Sequence, residues 1–323
     1  MGDLRKIQQT PTGTFFVCLP REWAHKKGLK KGTLVCLEIT SNGELLVDAE
    51  YNADPPVMTT SLSVGPYLGR EIIGSYLLGY DNIDIEAKDR IDSNVRNLVK
   101  STANSLAGLM IVEETPSKIS LQTLGQQPSS LPEKLLQRNY AITAGMLRDA
   151  ANSFINGDIE LAKNVVERDE ESNKFYFLLV RILRTIIQNP RLSEKLKITP
   201  IECLDYRLAA SLIEGIGDSC VQVAEKTVAL KGVNLTGELQ KLIAALQMIC
   251  YATHEQALKA FLTRNIALAE NVRNMREKID PIYTNIEFAA KASPKDLMAE
   301  VLAVAAFLRQ IYERSVDLAD LVV

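Results

Sequence analysis

Apolar positions in residues 4–50 fall in short runs that suit β-strands better than helices. The turn-rich stretches TPTG and SNG separate these runs into two pairs, each typical of a hairpin. Between the pairs, REWAHKKG (21–28) predicts one short helix that begins after Pro20 and ends at Gly28. A module this small has little room for a core, so we expect dimerisation to complete it. The strand-like runs are LRKIQQ (4–9), TFFVCL (14–19), LVCLEI (34–39) and ELLVDA (44–49).

Residues 60–125 mix the two periodicities, which predicts a small α+β module. REIIGSYLLGY (70–80) indicates a helix, and residues 90–108 indicate a longer amphipathic helix closed by Gly108. No chemical motif stands out in this module, and GQQPSSLP (125–132) has the composition of a linker. The predicted strands are NIDIEA (82–87), LMIVEE (109–114) and SKISLQTL (117–124).

From residue 132 to the end the pattern is helical throughout, and three capping boxes predict where helices begin. In each box an acidic residue follows Ser or Thr by three positions, and Pro200 and Pro294 are expected at the first helical position of two helices. The boxes are Ser130 with Glu133, Thr199 with Glu202, and Ser293 with Asp296.

The helical region also repeats itself. Residues 154–176 align with 261–283 without a gap, so that Phe154 corresponds to Phe261 and Tyr176 to Tyr283. The simplest interpretation is a duplicated bundle of three helices, with copies at about 132–230 and 236–323.

Each copy carries a Glu-x-x-x-Asp pair, whose members lie one above the other on a helix. The pairs are Glu214 with Asp218 and Glu313 with Asp317. On the preceding helix Asp169 and Asn173 are also four residues apart, and they align with Arg276 and Asp280. A solvated acidic face would explain this spacing, and so would a metal site built from oxygen ligands of two neighbouring helices. The spacing alone leaves both interpretations open.

Charge is distributed unevenly along the chain. The net charge is −3, yet seven Lys and Arg lie between positions 5 and 31 beside a single Glu. A local basic field of this kind attracts phosphate groups, although it could also serve only solubility.

Catalytic signatures are missing, which favours a protein that is not an enzyme. The two histidines, His25 and His254, are far apart, and His254 on an apolar helix suggests a structural residue. The five cysteines are widely spaced without a CxxC, which suits a reducing compartment. The longest apolar run, residues 175–187, is short and holds two arginines, so we expect a cytoplasmic protein without a membrane span.

The segments VVERDEESNKFY and LIEGIGDSCVQVAE resemble PhoU, a family of phosphate-signalling regulators built from two three-helix bundles. The resemblance covers about residues 132–323. It implies metal ions (iron, zinc or magnesium) on the bundles, and contacts with a phosphate transporter ATPase or a sensor kinase. By position, the implied ligands are Asp169, Asn173, Glu214 and Asp218 in the first copy and Asp280, Glu313 and Asp317 in the second. Arg276 replaces an expected acid, Asn173 stands where Asp is usual, and Pro281 is expected to bend its helix.

Residues 1–52, with LPREWA and GLKKGTLV as the most specific part, resemble the swapped-hairpin AbrB/SpoVT fold. That fold binds DNA as an interlaced dimer through basic residues of its first hairpin and helix. By position, the implied DNA-binding residues are Arg5, Lys6, Arg21, Lys26, Lys27, Lys30 and Lys31.

The sequence thus predicts a multidomain, homodimeric protein: a swapped-hairpin β module, a small central α+β module and an all-α PhoU-like pair of three-helix bundles. Its predicted function is transcriptional regulation of phosphate uptake, with metal or phosphate status sensed by the bundles. The alternative is an adaptor that restrains a transporter or kinase by protein contact, in which the N-terminal module only dimerises.

Overall fold

The computed structural model describes residues 4–39, 43–49, 57–124, 132–230 and 235–322. They form two compact units, and the division falls after residue 56. Three sequence predictions lie partly or largely outside the described residues: the SNG turn of the second hairpin, the linker at 125–132 and the capping box at Ser130.

The first unit contains two separate two-stranded antiparallel sheets and one short helix. Strands β1 (Gln8–Gln9) and β2 (Phe15–Phe16) form one sheet, and β3 (Cys36–Ile39) and β4 (Leu45–Asp48) form the other. Helix α1 (Arg21–Lys26) lies between them in sequence. The predicted order of hairpin, helix and hairpin is confirmed, although each strand is shorter than its apolar run.

The second unit begins with an α+β module around a four-stranded sheet. Its strands are β5 (Thr59–Ser63), β6 (Asn82–Glu86), β7 (Leu109–Glu114) and β8 (Lys118–Thr123), in the spatial order β5-β6-β8-β7. Strands β5 and β6 are parallel, and the other pairs are antiparallel. Helices α2 (Leu68–Leu77) and α3 (Ser93–Asn104) contribute to one core with the apolar side chains of β6 and β8.

Two predictions for this module need correction. Strand β5 was not predicted, because TTSLS offers only one large apolar side chain to a periodicity argument. The long helix predicted over 90–108 is shorter: it begins after Asp92, whose carboxylate accepts a hydrogen bond from the Val95 amide (2.8 Å), and ends before Ser105.

Eight helices of the described chain follow the sheet. In order they are α4 (Pro132–Asn156), α5 (Ile159–Gln188), α6 (Pro190–Leu196), α7 (Pro200–Leu230), α8 (Gly237–Thr263), α9 (Ile266–Asn274), α10 (Arg276–Ala290) and α11 (Lys295–Ala319). The first copy of the repeat supplies α4, α5 and α7, with the short α6 between the last two. The second copy supplies α8, the α9–α10 pair and α11.

Equivalent caps support the duplication. Asp158 accepts a hydrogen bond from the Leu161 amide at the start of α5, and Asn265, 107 positions later, accepts one from the Leu268 amide at the start of α9. The copies then diverge, because α5 is continuous whereas its counterpart is interrupted at Met275. Pro281 lies inside α10, beyond this interruption, and the bend expected at Pro281 stays a prediction.

The copies do not form two independent bundles. Helix α7 packs against α11, and α4 packs against α8, as well as against partners of their own copy. One apolar cluster accordingly joins Leu147 and Ile216 of the first copy to Leu246 and Leu308 of the second. The three helices of each copy pack on one another as predicted, and the two bundles share a core.

The capping-box predictions had mixed outcomes. At Thr199 the box is confirmed, because the Glu202 amide donates to Thr199 Oγ1 (3.2 Å) and the Thr199 amide donates to Glu202 Oε2 (2.9 Å). The box at Ser293 is wrong. The Ser293 amide still bonds to the Ala290 carbonyl in the turn after α10, and α11 begins at Lys295 without a side-chain cap.

Arg181 of α5 fastens the α+β module to the helices. Arg181 is 8% exposed, and its guanidinium donates to the carbonyls of Tyr76 (2.5 Å), Gly79 (3.2 Å) and Tyr80 (2.9 Å), and to Asp81 Oδ1 (3.2 Å). These acceptors lie at the C-terminal end of α2 and just beyond it, where the helix dipole attracts a cation. No helix of the described residues has the length and apolar character needed to cross a membrane.

Candidate metal centre and nucleic-acid interface

The structure brings the carboxylates of the first copy together between α5 and α7. Asp169 on α5 and Glu214 and Asp218 on α7 are close enough to act electrostatically on one another. Asn173, one turn beyond Asp169, donates a hydrogen bond from Nδ2 to Asp169 Oδ2 (2.8 Å). The other oxygen, Asp169 Oδ1, is buried without a hydrogen-bond partner.

Two glycines in the segment IEGIGDS permit this close packing. A Cβ at Gly217 would lie 3.3 Å from Thr143 Cγ2 of α4 and 3.5 Å from Asp169 Oδ1 of α5, so its absence lets three helices approach. A Cβ at Gly215 would lie 2.9 Å from Nε of Arg314, which belongs to α11 of the second copy. Arg314 donates hydrogen bonds to the Gly215 carbonyl and to Ser219 Oγ.

The first carboxylate set carries unbalanced negative charge. Burial, followed by the charges of Asp218 and Asp169, raises the pKa of Glu214 to about 7, although Arg314 and Arg207 act in the opposite direction. Burial and the charge of Asp218 likewise raise the pKa of Asp169. Neither arginine is committed to these carboxylates: Arg207 stacks on the ring of Tyr176 (5.0 Å), and Arg314 binds Gly215 and Ser219. A cation would relieve this repulsion.

In ligand chemistry the first set fits a hard metal ion, because carboxylate and amide oxygens are the donors that such ions prefer. The shell is not preformed, however. Among the residues that the structure describes, no three His, Cys, Asp or Glu side chains are grouped so that they could hold a metal ion. Binding would therefore require the side chains of α5 and α7 to turn towards a common centre.

The second carboxylate set is arranged differently, because arginines occupy it. Glu313 Oε2 lies 2.7 Å from Arg276 Nη2 and Glu313 Oε1 lies 3.8 Å from Arg309 Nε, while Asp280 Oδ1 lies 3.2 Å from Arg309 Nη2. Asp317 is exposed, and burial together with the charges of Asp320 and Glu313 raises its pKa. The predicted ligands of the second copy are thus neighbours. Two of them, Asp280 and Glu313, are neutralised by arginines, and the set therefore does not fit a metal ion.

All seven basic residues predicted to bind DNA are exposed. They lie in or beside α1 and the first hairpin, and Arg21 Nε approaches His25 Nε2 at 3.5 Å on the face of α1. None of the described side chains in residues 4–49 is buried, and the apolar ones are largely exposed as well. The exposed large apolar residues are Leu4, Ile7, Phe15, Phe16, Val17, Leu19, Leu34, Leu37, Ile39 and Leu45.

Sequence reasoning missed the arginines that shape both sets. Arg309 and Arg314 lie on α11 beside the predicted ligands, but only the tertiary structure shows which carboxylate or carbonyl each one contacts. Of the cysteines, Cys203, Cys220 and Cys250 are buried, whereas Cys18 is exposed.

His254 is a buried structural residue. Its Nε2 lies 3.2 Å from Thr143 Oγ1, its ring packs on Tyr140, and burial lowers its pKa to about 3. Thr143 Oγ1 also lies 3.1 Å from the Tyr140 carbonyl, and donation to that carbonyl is compatible with a neutral His254 ring protonated at Nε2.

Comparisons with known proteins agree with the helical part of these expectations. Residues 136–227 match the model of the PhoU domain. The fold is similar to PhoU from Pseudomonas aeruginosa, with a TM-score of 0.53, 18% identity, and coverage of 59% of this chain and 93% of that chain. It is also similar to the phosphate transport system regulatory protein PhoU from Streptococcus pneumoniae, with a TM-score of 0.50, 15% identity, and coverage of 59% and 91%. No curated protein matches the sequence.

The helical region therefore has the fold of these PhoU structures, and residues 136–227 within it match the PhoU domain. Identities this low establish the fold and not the activity. The resemblance of residues 1–52 to the AbrB/SpoVT fold stays a prediction.

Proposed function

We propose that this protein is a regulator of phosphate uptake that binds DNA as a homodimer through its N-terminal unit and responds to metal or phosphate through its helical region. If it binds DNA in this way, the protein acts in the cytoplasm. The proposal is regulatory and assigns no catalytic residue.

The observation that carries the DNA-binding part is the surface of the N-terminal unit. Its apolar side chains have no core within one chain, and large exposed apolar surfaces in small modules mark association sites. A second copy of the chain would cover them. The same unit exposes seven basic side chains, and a dimer would double that number and present a strong field to phosphates.

The regulatory part rests on the helical region. Its PhoU domain match and the name of the Streptococcus pneumoniae neighbour, a phosphate transport system regulatory protein, support phosphate uptake as the regulated process. The crowded carboxylates Asp169, Glu214 and Asp218 support a metal ion, bound with the help of Asn173, as the signal or as part of its binding site.

A second function, the adaptor, is favoured by a different surface. Ile201, Leu204 and Leu208 form a stripe along the N-terminal half of α7, and they are 68%, 58% and 49% exposed. The spacing of three and four residues places them on one helical face, as in helix-in-groove recognition. A transporter ATPase or a sensor kinase would be the partner in this case.

Binding of the full-length protein to DNA from upstream of phosphate-transport genes tests the two functions. The regulator should bind this DNA more tightly than a random sequence, and a triple Arg21→Ala, Lys26→Ala, Lys27→Ala variant should lose the binding. A matched triple variant on the helices, Lys241→Ala, Lys259→Ala, Lys278→Ala, removes the same charge from exposed positions and should bind like the wild type.

Equal binding to both DNA sequences, or equal loss in both triple variants, would contradict the regulator. Replacement of Leu204 and Leu208 by Ser would then test the adaptor, because capture of the transporter ATPase or the kinase should depend on that stripe.

A further inference from the structure

We propose that the second carboxylate set, Asp280, Glu313 and Asp317, is neutralised by arginines and holds no metal, so that the protein binds one metal ion per chain and not two. The inference rests on the proposed metal binding by the first set. It distinguishes the two copies, although both carry the Glu-x-x-x-Asp motif.

The first step is the exchange of an acid for a base at an equivalent position. Arg276 stands 107 residues after Asp169, the same offset that relates Tyr176 to Tyr283. Its guanidinium lies 2.7 Å from Glu313 Oε2, so the place of a carboxylate ligand is taken by a cation that pairs with the remaining ligand.

The second step compares the arginines that precede the Glu-x-x-x-Asp pairs on α7 and α11. In the first copy Arg207, seven residues before Glu214, stacks on Tyr176 at 5.0 Å. In the second copy Arg309, four residues before Glu313, stacks on the equivalent Tyr283 at 5.1 Å. One turn nearer to the carboxylates, Arg309 reaches both Asp280 (3.2 Å) and Glu313 (3.8 Å).

Arg309 therefore links α10 to α11 in the way that a bridging metal ion would. The residue equivalent to Arg309 in the first copy, 99 positions earlier, is Ala210, which is buried and carries no charge. The first set thus has neither of the two guanidinium groups that pair with the second set.

A metal ion at the second set would have to displace both guanidinium groups or remain close to them. Either event opposes binding, because it would break the hydrogen bond from Arg276 to Glu313 Oε2 or leave two guanidinium charges beside a second cation. The contacts of Arg309 are charge contacts, since Asp280 Oδ1 lies near its guanidinium but has no hydrogen-bond partner. At the first set the competition is weaker, since Arg207 and Arg314 act on Glu214 through their charge while their guanidinium groups contact Tyr176, Gly215 and Ser219.

The test is a Mn²⁺ titration of the full-length protein, followed by loss of the electron paramagnetic resonance signal of the free ion. Mn²⁺ prefers oxygen ligands, so the cysteines interfere little. We expect one ion per chain in the wild type, at least a tenfold loss of affinity in Asp218→Asn, and unchanged binding in Glu313→Gln. An Arg276→Asp, Arg309→Ala variant, which copies the first set, should bind two ions. Both arginines are partly exposed, so these substitutions should leave the fold intact, which circular dichroism would verify.

The outcomes separate the inference from the proposed function. Two ions in the wild type, or loss of an ion in Glu313→Gln, would overturn the inference and leave metal binding intact. No ion in the wild type, with one gained in the arginine variant, would overturn metal binding by the first set and support the arginine assignment. No ion in either protein would overturn both.

Discussion

Replacement of Arg181 by Met should loosen the α+β module from the helices. The Arg181 side chain is almost completely buried and supplies four hydrogen bonds, three to carbonyls at the end of α2 or just beyond it and one to Asp81. It also lies over the ring of Tyr76 at 4.9 Å. Met fills much of the same volume but provides none of these donors.

The expected cost follows from what the substitution leaves behind. Removal of one partner of a buried ion pair costs about 3–5 kcal/mol, because the remaining charge stays desolvated. Asp81 retains one hydrogen bond, from the Met58 amide to Oδ2 at 2.9 Å, which reduces its penalty. The carbonyls of Tyr76 and Tyr80 lose charge-assisted bonds in addition. We therefore expect a loss of about 3 kcal/mol.

Urea unfolding and hydrogen exchange of residues 57–124 would measure the effect. Arg184→Met is the matched control, because Arg184 is exposed on the same helix and should change the free energy of unfolding by less than about 0.5 kcal/mol. The rate of amide hydrogen exchange should rise in the α+β module of the Arg181→Met variant and should not change in the Arg184→Met control. Equal free energies of unfolding for the two variants would refute the assigned role of Arg181.

Two further predictions concern the helical region. The folded-state pKa of Glu214, about 7, lies above its ordinary value of 4.5, so the folded protein keeps a proton that the unfolded chain releases, and stability falls as the pH rises between those values. Glu214→Gln should remove that fall: urea midpoints should match the wild type at low pH and exceed it above pH 7, and a pH-independent difference would contradict the argument. Thr199→Ala should destabilise the protein by about 1 kcal/mol through loss of the α7 cap. Ser293→Ala should have less than half that effect in thermal unfolding, because Ser293 caps no helix, and equal losses would show that its box does form.

Much of the fold could be predicted from local patterns. The equivalent caps at Asp158 and Asn265 follow from the repeat, and the box at Thr199 with Glu202 marks the start of α7. Local patterns fail where a single short strand such as β5 has little apolar content, or where a tertiary contact decides the outcome.

The candidate site shows the same division. The convergence of Asp169 with Glu214 and Asp218 could be predicted, because spacing and resemblance both pointed to it. The insertion of Arg314 against Gly215 could not, since it depends on how α11 of one copy crosses α7 of the other. The sequence shows that Arg276 replaces an acid, but not that Arg309 lies near enough to Asp280 and Glu313 to neutralise them.

The salt dependence of DNA binding by the full-length protein tests the central claim most directly. Each phosphate contact contributes a slope of about −0.9 when the logarithm of the binding constant is plotted against that of the salt concentration. In a dimer, the Arg21→Ala, Lys26→Ala, Lys27→Ala variant lacks six charges, so its slope should be shallower by up to about 5. An unchanged slope in this variant, or wild-type binding that does not respond to salt, would show that the basic N-terminal unit does not bind DNA.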